Sequence, residues 1–161
     1  METFFSLSIG QMFALLGAAL ASILPGIGSA KGVGMAGEAS AGVVTENPAL
    51  SGKLLVLQAL PGTQGIYGLI IAFIVILKTN MFGGMIELTA LQGLNVLMSC
   101  LPIAVVGLIS AVYQARVSSA AIVMTGVRPE ASGKGIVMAI LVETYAILAL
   151  LASFLLVWYV I

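Results

Sequence analysis

Four long apolar stretches determine what this chain can fold into. They cover residues 9–30, 54–77, 88–115 and 135–161, and Glu143 is the one charged residue within them. A helix needs roughly 20 residues to cross about 30 Å of hydrocarbon, and each stretch reaches that length. We therefore predict an all-α membrane protein with four transmembrane helices.

The composition excludes several other classes of protein. Charged residues make up 7% of the chain, whereas a soluble domain is about one quarter charged. Six basic side chains balance six acidic ones, so we expect no nucleic-acid partner. The chain has no His and a single Cys, Cys100, which excludes zinc sites, Cys–His nucleophile pairs, Ser–His–Asp triads and intrachain disulfides. We expect neither zinc nor haem as a cofactor.

Short connections join the helices into two tandem hairpins. They lie at residues 46–48 and 127–130, so we predict a single membrane domain, residues 1–161, with hairpins at 9–78 and 86–161. A shift of 81 positions aligns identical residues of the two hairpins. Examples are Gly26 with Gly107, Ser29 with Ser110, Ala30 with Ala111, Pro48 with Pro129 and Thr63 with Thr144. The chain is therefore a duplicated hairpin whose halves run in the same direction, unlike the inverted repeats of many carriers.

Basic residues predict the orientation in the cell membrane. Lys53, Arg128 and Lys134 lie beside the first and third connections, and Lys78 lies near the middle one. Because basic residues accumulate on the cytoplasmic side, we expect the first and third connections in the cytoplasm and both termini outside.

Glu143 is the strongest functional candidate. A carboxylate in the middle of a transmembrane helix costs about 2.5–3.5 kcal/mol on insertion scales, so such residues usually have a function. The repeat aligns Glu143 with Gly62, so the first hairpin lacks the acid. The alternative is a protonated Glu143 that only hydrogen-bonds a neighbouring helix.

Two glutamines lie at the same depth as this acid. Gln114 is 14 residues before Arg128, Glu143 is 14 after Pro129, and Gln64 is 16 after Pro48. At about 1.5 Å per residue, all three lie roughly 21–24 Å from the connections. We predict one polar layer across three helices, although interhelical hydrogen bonding alone would also explain the glutamines.

The second helix adds further oxygen atoms to this layer. Its residues Leu60, Thr63, Gln64 and Tyr67 share one face by their spacing. Pro61 has no N–H and leaves the Leu57 carbonyl without its helical donor. One carboxylate, two amides, a hydroxyl and loosened carbonyls suit a hard monovalent cation, and the surplus of neutral oxygens favours Na⁺ over H⁺. The Tyr67 hydroxyl is placed to donate to the carboxylate.

The first helix is rich in small residues, which let helices approach closely. Its residues 32–37 also fit the dinucleotide pattern G-x-G-x-x-G, but no strand precedes them, so we expect no nucleotide there. Lys31 and Glu38 lie two turns apart on this helix, and this spacing does not indicate a function for them.

Three motifs make the chain resemble the double-hairpin proteolipid, or c-type subunit, of V-type ATPases, close to its sodium-translocating bacterial form. They are GSAKGVG at residues 28–34, LPGTQGIYG at 60–68 and VETYAIL at 142–148. The resemblance covers essentially the whole chain. It implies a membrane-embedded ring of identical copies, with the first and third helices inside and the second and fourth outside.

The resemblance also implies an ion site and a set of partners. Na⁺ would bind Glu143, Gln114, Gln64, Thr63 and the Leu60 carbonyl, with Tyr67 hydrogen-bonded to the acid. The ring would turn against a membrane stator subunit that carries an arginine, be joined to a central-stalk subunit, and contact membrane lipid. ATP hydrolysis would belong to a separate soluble head, so the chain itself would not be an enzyme.

Three other functions remain open on the sequence. A rotor that carries H⁺ would use the same acid. A passive pore should repeat polar residues along its axis, whereas here they form one layer. A structural bundle filled with lipid would explain the glycines but not Glu143, Gln64 and Gln114.

Overall fold

The computed structural model describes residues 7–161, and within that range the chain is helical without strands. Residues 1–6, which the predicted domain includes, lie outside the described part. The helices are α1 (Ile9–Glu46), α2 (Ser51–Ala59), α3 (Thr63–Lys78), α4 (Ala90–Val127) and α5 (Ser132–Val160). They form four candidate membrane spans, because α2 and α3 are two parts of one span. The predicted all-α class and the four transmembrane helices are confirmed.

The helices are longer than the uncharged stretches that predicted them. α1 continues past Lys31 and Glu38, and α4 continues past Arg116. Pro25 and Pro102 lie inside α1 and α4 without ending them. Charged residues therefore occur inside the helices as well as at the connections.

Equivalent capping boxes begin α1 and α4. Ser8 accepts from the Gln11 backbone N–H and its own N–H donates to the Gln11 side chain, and Thr89 and Gln92 do the same. These pairs are 81 positions apart, as the repeat requires. Such caps satisfy N–H groups that the first turn leaves free, and each typically contributes about 1 kcal/mol.

Close packing of α1 against α4 forms the centre of the molecule. A Cβ on Gly28 would lie 2.7 Å from the Leu108 carbonyl oxygen, and one on Gly32 would lie 3.0 Å from the Ala111 oxygen. Glycine is needed at both positions because the opposing atoms belong to the backbone and cannot rotate away. The remaining helices pack outside this pair, α3 mainly on α1 and α5 on α4.

Two apolar clusters form the core. The larger lies towards the middle connection and includes Ala14, Ala18, Ile71, Val75, Val96 and Cys100. The smaller lies towards the other end and includes Ala36, Leu54, Leu57, Ala121 and Ile122. The polar residues of the predicted layer, 63–64, 114 and 143, fall between the two clusters along the chain. The layer therefore has apolar packing on both sides.

Close approach of the two central helices predicts a stability effect. Gly28→Ala should lower the free energy of unfolding by about 1–3 kcal/mol, because the added methyl group meets backbone atoms. Thermal unfolding in detergent measures the change. The matched control is Gly133→Ala, where a Cβ meets nothing within 4 Å and the substitution should be neutral or stabilising. Equal stability of the two variants would contradict this account of the packing.

Candidate functional site

Glu143 is buried on α5 and held by two other helices. Its side chain is 7% exposed. The Tyr67 hydroxyl on α3 donates to Oε1 at 2.5 Å, and the Gln114 Nε2 on α4 donates to Oε2 at 3.3 Å. Each carboxylate oxygen therefore has a hydrogen-bond donor from a different helix. This arrangement compensates part of the cost of burying the acid.

The two glutamines extend this arrangement across the molecule. The Gln64 Nε2 donates to the Gln114 Oε1 at 2.5 Å, and both side chains are 0% exposed. Thr63 Oγ1 lies 3.4 Å from the Gln64 Oε1. Tyr67, Glu143, Gln114 and Gln64 thus form one continuous hydrogen-bonded cluster on three helices, and the Thr63 hydroxyl oxygen lies beside it. The side chains that residue counting placed at one depth are in contact with each other.

The turn between α2 and α3 adds a carbonyl oxygen to the cluster. Leu60–Gly62 forms a single 3-10 turn with Pro61 inside it, at the place where the sequence predicts that Pro61 loosens the backbone of the helix. The Thr63 hydroxyl lies 2.9 Å from the Leu60 carbonyl oxygen and donates its one proton there, because this is its nearest acceptor. The lone pairs of this hydroxyl then remain available towards the cluster.

Two serines were missing from the sequence interpretation of the site. Ser110 Oγ accepts from the Gln64 Nε2 at 3.4 Å and donates to the Val142 carbonyl at 3.2 Å. Ser29 Oγ accepts from the Gly65 N–H at 2.8 Å, close to the Pro61 turn. The repeat carried a signal for both, because Ser29 and Ser110 are an identical aligned pair. Each serine joins an inner helix to an outer one beside the polar cluster.

The cluster has the chemistry of a monovalent cation site. Nowhere among residues 7–161 do three or more His, Cys, Asp or Glu side chains gather. Glu143 is the one anionic group of the cluster, and its neighbours provide neutral oxygens of amide, hydroxyl and carbonyl type. Na⁺ prefers such hard oxygen ligands, whereas a site with one carboxylate leaves a divalent ion half neutralised.

Three charged residues of the inner helices stay outside the cluster. Lys31 and Glu38 on α1 and Arg116 on α4 are all exposed. The Arg116 guanidinium lies over the ring of Tyr113, 5.2 Å from its centroid, and the sequence interpretation had assigned Arg116 no place. None of the three contributes to the surroundings of Glu143.

Comparison with known proteins identifies similar chains. The family model for the c-type subunit of ATP synthase matches twice, at residues 16–75 and 97–156, once in each hairpin. The chain is 49% identical over 148 residues to V-type sodium ATPase subunit K of Enterococcus hirae, and the alignment covers 92% of both proteins. It is 36% identical over 143 residues to A-type ATP synthase subunit K of Methanocaldococcus jannaschii, covering 88% of this chain and 60% of that protein.

The buried amide pair predicts a second stability effect. Gln64→Leu removes the donor to Gln114 and leaves a buried amide oxygen without a partner, so the free energy of unfolding should fall by about 1–2 kcal/mol. Thermal unfolding in detergent measures this loss. Gln58→Leu is the matched control, because Gln58 is half-buried on α2 outside the cluster. A Gln64 variant as stable as the control would show that the amide pair does not hold the helices together.

Proposed function

We propose that this chain, which belongs to the family of ATP synthase c-type subunits and contains the family's hairpin twice, is the membrane rotor-ring subunit of a V-type ATPase and carries Na⁺ at Glu143. The observation that carries this proposal is the buried hydrogen-bonded cluster around a single carboxylate halfway along a candidate membrane span. The 49% identity to a protein whose name specifies a sodium ATPase supports the choice of ion.

In this proposal the ion replaces hydrogen bonds of the cluster. Glu143, Gln114, Gln64 and Thr63 each supply a side-chain oxygen, and Leu60 supplies its carbonyl. Tyr67 keeps the carboxylate oriented from the other side, and Pro61 keeps the Leu60 turn in place. Binding requires the Gln64 amide to turn its oxygen, instead of its N–H, towards the centre. The amide pair is therefore the part of the site that rearranges on binding.

Charge neutralisation explains how an occupied site could pass through lipid while the ring turns. An occupied site is close to neutral, because Glu143 offsets the cation, and can face lipid at a tolerable cost. An empty site keeps a negative charge, which is expensive in hydrocarbon. The site therefore empties only beside a stator that offers a positive charge, for which the family uses an arginine.

Energy for the transport comes from outside the chain. Moving one charge against 100 mV takes about 2.3 kcal/mol, which a passive ring cannot provide. ATP hydrolysis in a separate soluble head, linked through a central stalk, would drive the rotation. The chain itself is a non-catalytic subunit in this proposal. It lies in the cell membrane with its first and third connections in the cytoplasm and its termini outside.

Protection from a carbodiimide tests the proposed ion. The reagent modifies a protonated carboxyl in an apolar setting, so bound Na⁺ should slow the labelling of Glu143 in the detergent-solubilised protein. Peptide-resolved mass spectrometry at several pH values separates Glu143 from the exposed glutamates. Saturable protection by Na⁺ but not by choline, with weaker affinity at lower pH, is the expected result. Labelling that follows pH alone would identify a proton rotor instead.

The ligand assignment is tested by two substitutions. Gln114→Ala and Thr63→Ala each remove one neutral oxygen, so protection should need about tenfold more Na⁺, equivalent to about 1.4 kcal/mol. Gln58→Ala, outside the cluster, should leave the protection curve unchanged. A Gln114 variant with the original Na⁺ dependence would remove that residue from the site.

The role of the acid is tested by Glu143→Gln. This change keeps the shape of the cluster and removes its only charge, so ion transport by the assembled ATPase in vesicles should be lost. Ring assembly, followed by native mass spectrometry, should persist. Continued ATP-driven sodium uptake in this variant would contradict the assignment of Glu143 as the carrier.

A further inference from the structure

Ser110 lies beside the proposed ion site with a hydroxyl whose single proton is already in use. The side chain is 5% exposed, and its Oγ donates to the Val142 carbonyl oxygen at 3.2 Å. A carbonyl can only accept, so the direction of this hydrogen bond is fixed. The same Oγ lies 3.4 Å from the Gln64 Nε2. Because its proton is on Val142, the hydroxyl offers Gln64 only lone pairs, which suit the amide N–H2 group and repel the amide oxygen.

The oxygen of the same amide faces a second hydroxyl whose proton is in use. Thr63 Oγ1 donates to the Leu60 carbonyl oxygen at 2.9 Å and lies 3.4 Å from the Gln64 Oε1. Two oxygens that present lone pairs therefore face each other, and a cation that binds both of them is favourable. The hydroxyls of Thr63 and Ser110 thus lie against opposite ends of the amide, one beside its oxygen and one beside its N–H2 group.

We propose that Ser110 is a positioning residue that favours Na⁺ over H⁺, because it holds the Gln64 amide in the orientation that the ion requires. This role rests on the proposed sodium function and adds to it, since Ser110 is not among the proposed ligands. In the structure the Gln64 N–H2 group also donates to the Gln114 Oε1. Na⁺ takes both amide oxygens in the proposed site, so this hydrogen bond is lost on binding. The N–H2 group then depends on Ser110 for its acceptor.

Binding of H⁺ does not require this acceptor. A proton on Glu143 takes no ligand from Gln64, so the hydrogen bond between Gln64 and Gln114 persists when the acid is protonated. Ser110 therefore stabilises the state with bound Na⁺ more than the protonated state. Only an interaction that differs between the two states can change the preference between the two ions.

The aligned serine of the first hairpin has a different partner. Ser29 Oγ accepts from the Gly65 backbone N–H at 2.8 Å. A backbone N–H inside a helix has one orientation, so Ser29 holds two helices together without selecting between arrangements. A side-chain amide can present either its oxygen or its N–H2 group. At Ser110 the hydroxyl therefore selects one of two orientations, and the orientation it selects is the one that leaves the amide oxygen for the ion.

Carbodiimide labelling of Glu143 in the whole Ser110→Ala protein in detergent tests this role. Without Na⁺, the labelling rate and its pH dependence should match those of the unsubstituted protein, because Tyr67 and Gln114 still donate to the acid. Half-maximal protection should need about tenfold more Na⁺, since the buried N–H2 group lacks an acceptor only in the bound state. An unchanged Na⁺ requirement would overturn the proposed role. So would a changed pH dependence without Na⁺, which would show that the whole site had loosened.

Ser153→Ala is the matched control. Ser153 also joins α5 to α4, since its Oγ accepts from the Ile103 N–H at 3.1 Å, and its side chain is 0% exposed. It is 10 residues after Glu143, which is about 15 Å along the helix. This variant removes a buried hydroxyl between the same two helices and should leave protection by Na⁺ unchanged. An equal loss in both variants would assign the effect to helix packing and contradict the positioning role.

A double substitution shows whether Ser110 acts through Gln64. Gln64→Ala removes the amide and by itself weakens protection by Na⁺. Adding Ser110→Ala should then change the half-protecting Na⁺ concentration by less than about twofold, because no N–H2 group is left to hold. A further tenfold loss would show that Ser110 acts on the ion directly, against this inference. Absence of Na⁺ protection in the unsubstituted protein would overturn the proposed sodium function and this inference with it, whereas protection that ignores Ser110 would overturn this inference alone.

Discussion

Burial of one carboxylate in the middle of a candidate membrane span is the constraint on which the rest of this structure depends. Glu143 is tolerated because Tyr67 and Gln114 each donate to one of its oxygens. Those donors belong to two different helices, so the cost of the acid is met only when α3, α4 and α5 pack in one arrangement. The polar cluster therefore fixes how these helices align with each other, and it is also the site that we propose for the ion.

Close approach of α1 and α4 makes that arrangement possible. Glycines at 28 and 32 bring the inner helices together, and the outer helices then lie where Gln64 reaches Gln114. The Leu60 carbonyl lies in the Pro61 turn beside the cluster, where it accepts from the Thr63 hydroxyl and from the Thr63 backbone N–H. The glycines thus allow the helices to pack closely, the proline lies in the turn before Thr63, and the polar side chains form the hydrogen bonds of the cluster.

The two aligned hairpins share their structural residues but differ at the acid. Both keep the serine that links the inner helix to the outer one, at positions 29 and 110, and both keep the capping box. The acid and its amide partner, Glu143 and Gln114, occur only in the second hairpin. The aligned residues of the first hairpin are Gly62 and Val33. Under the proposed rotor function, one acid per pair of hairpins would mean one ion carried per copy and therefore fewer ions per turn than an acid in each hairpin would give.

The sequence by itself determined the class, the four helices, the repeat and the depth of the polar layer. Apolar length and residue counts are sufficient for these features, because lipid requires every span to be a helix with a fixed rise per residue. The family resemblance drawn from three motifs was confirmed by the double family match. Only the tertiary structure decided that Gln64 bonds to Gln114 and that Ser110 joins the cluster. These features depend on how helices distant in sequence rotate and approach, which periodicity along one chain does not specify.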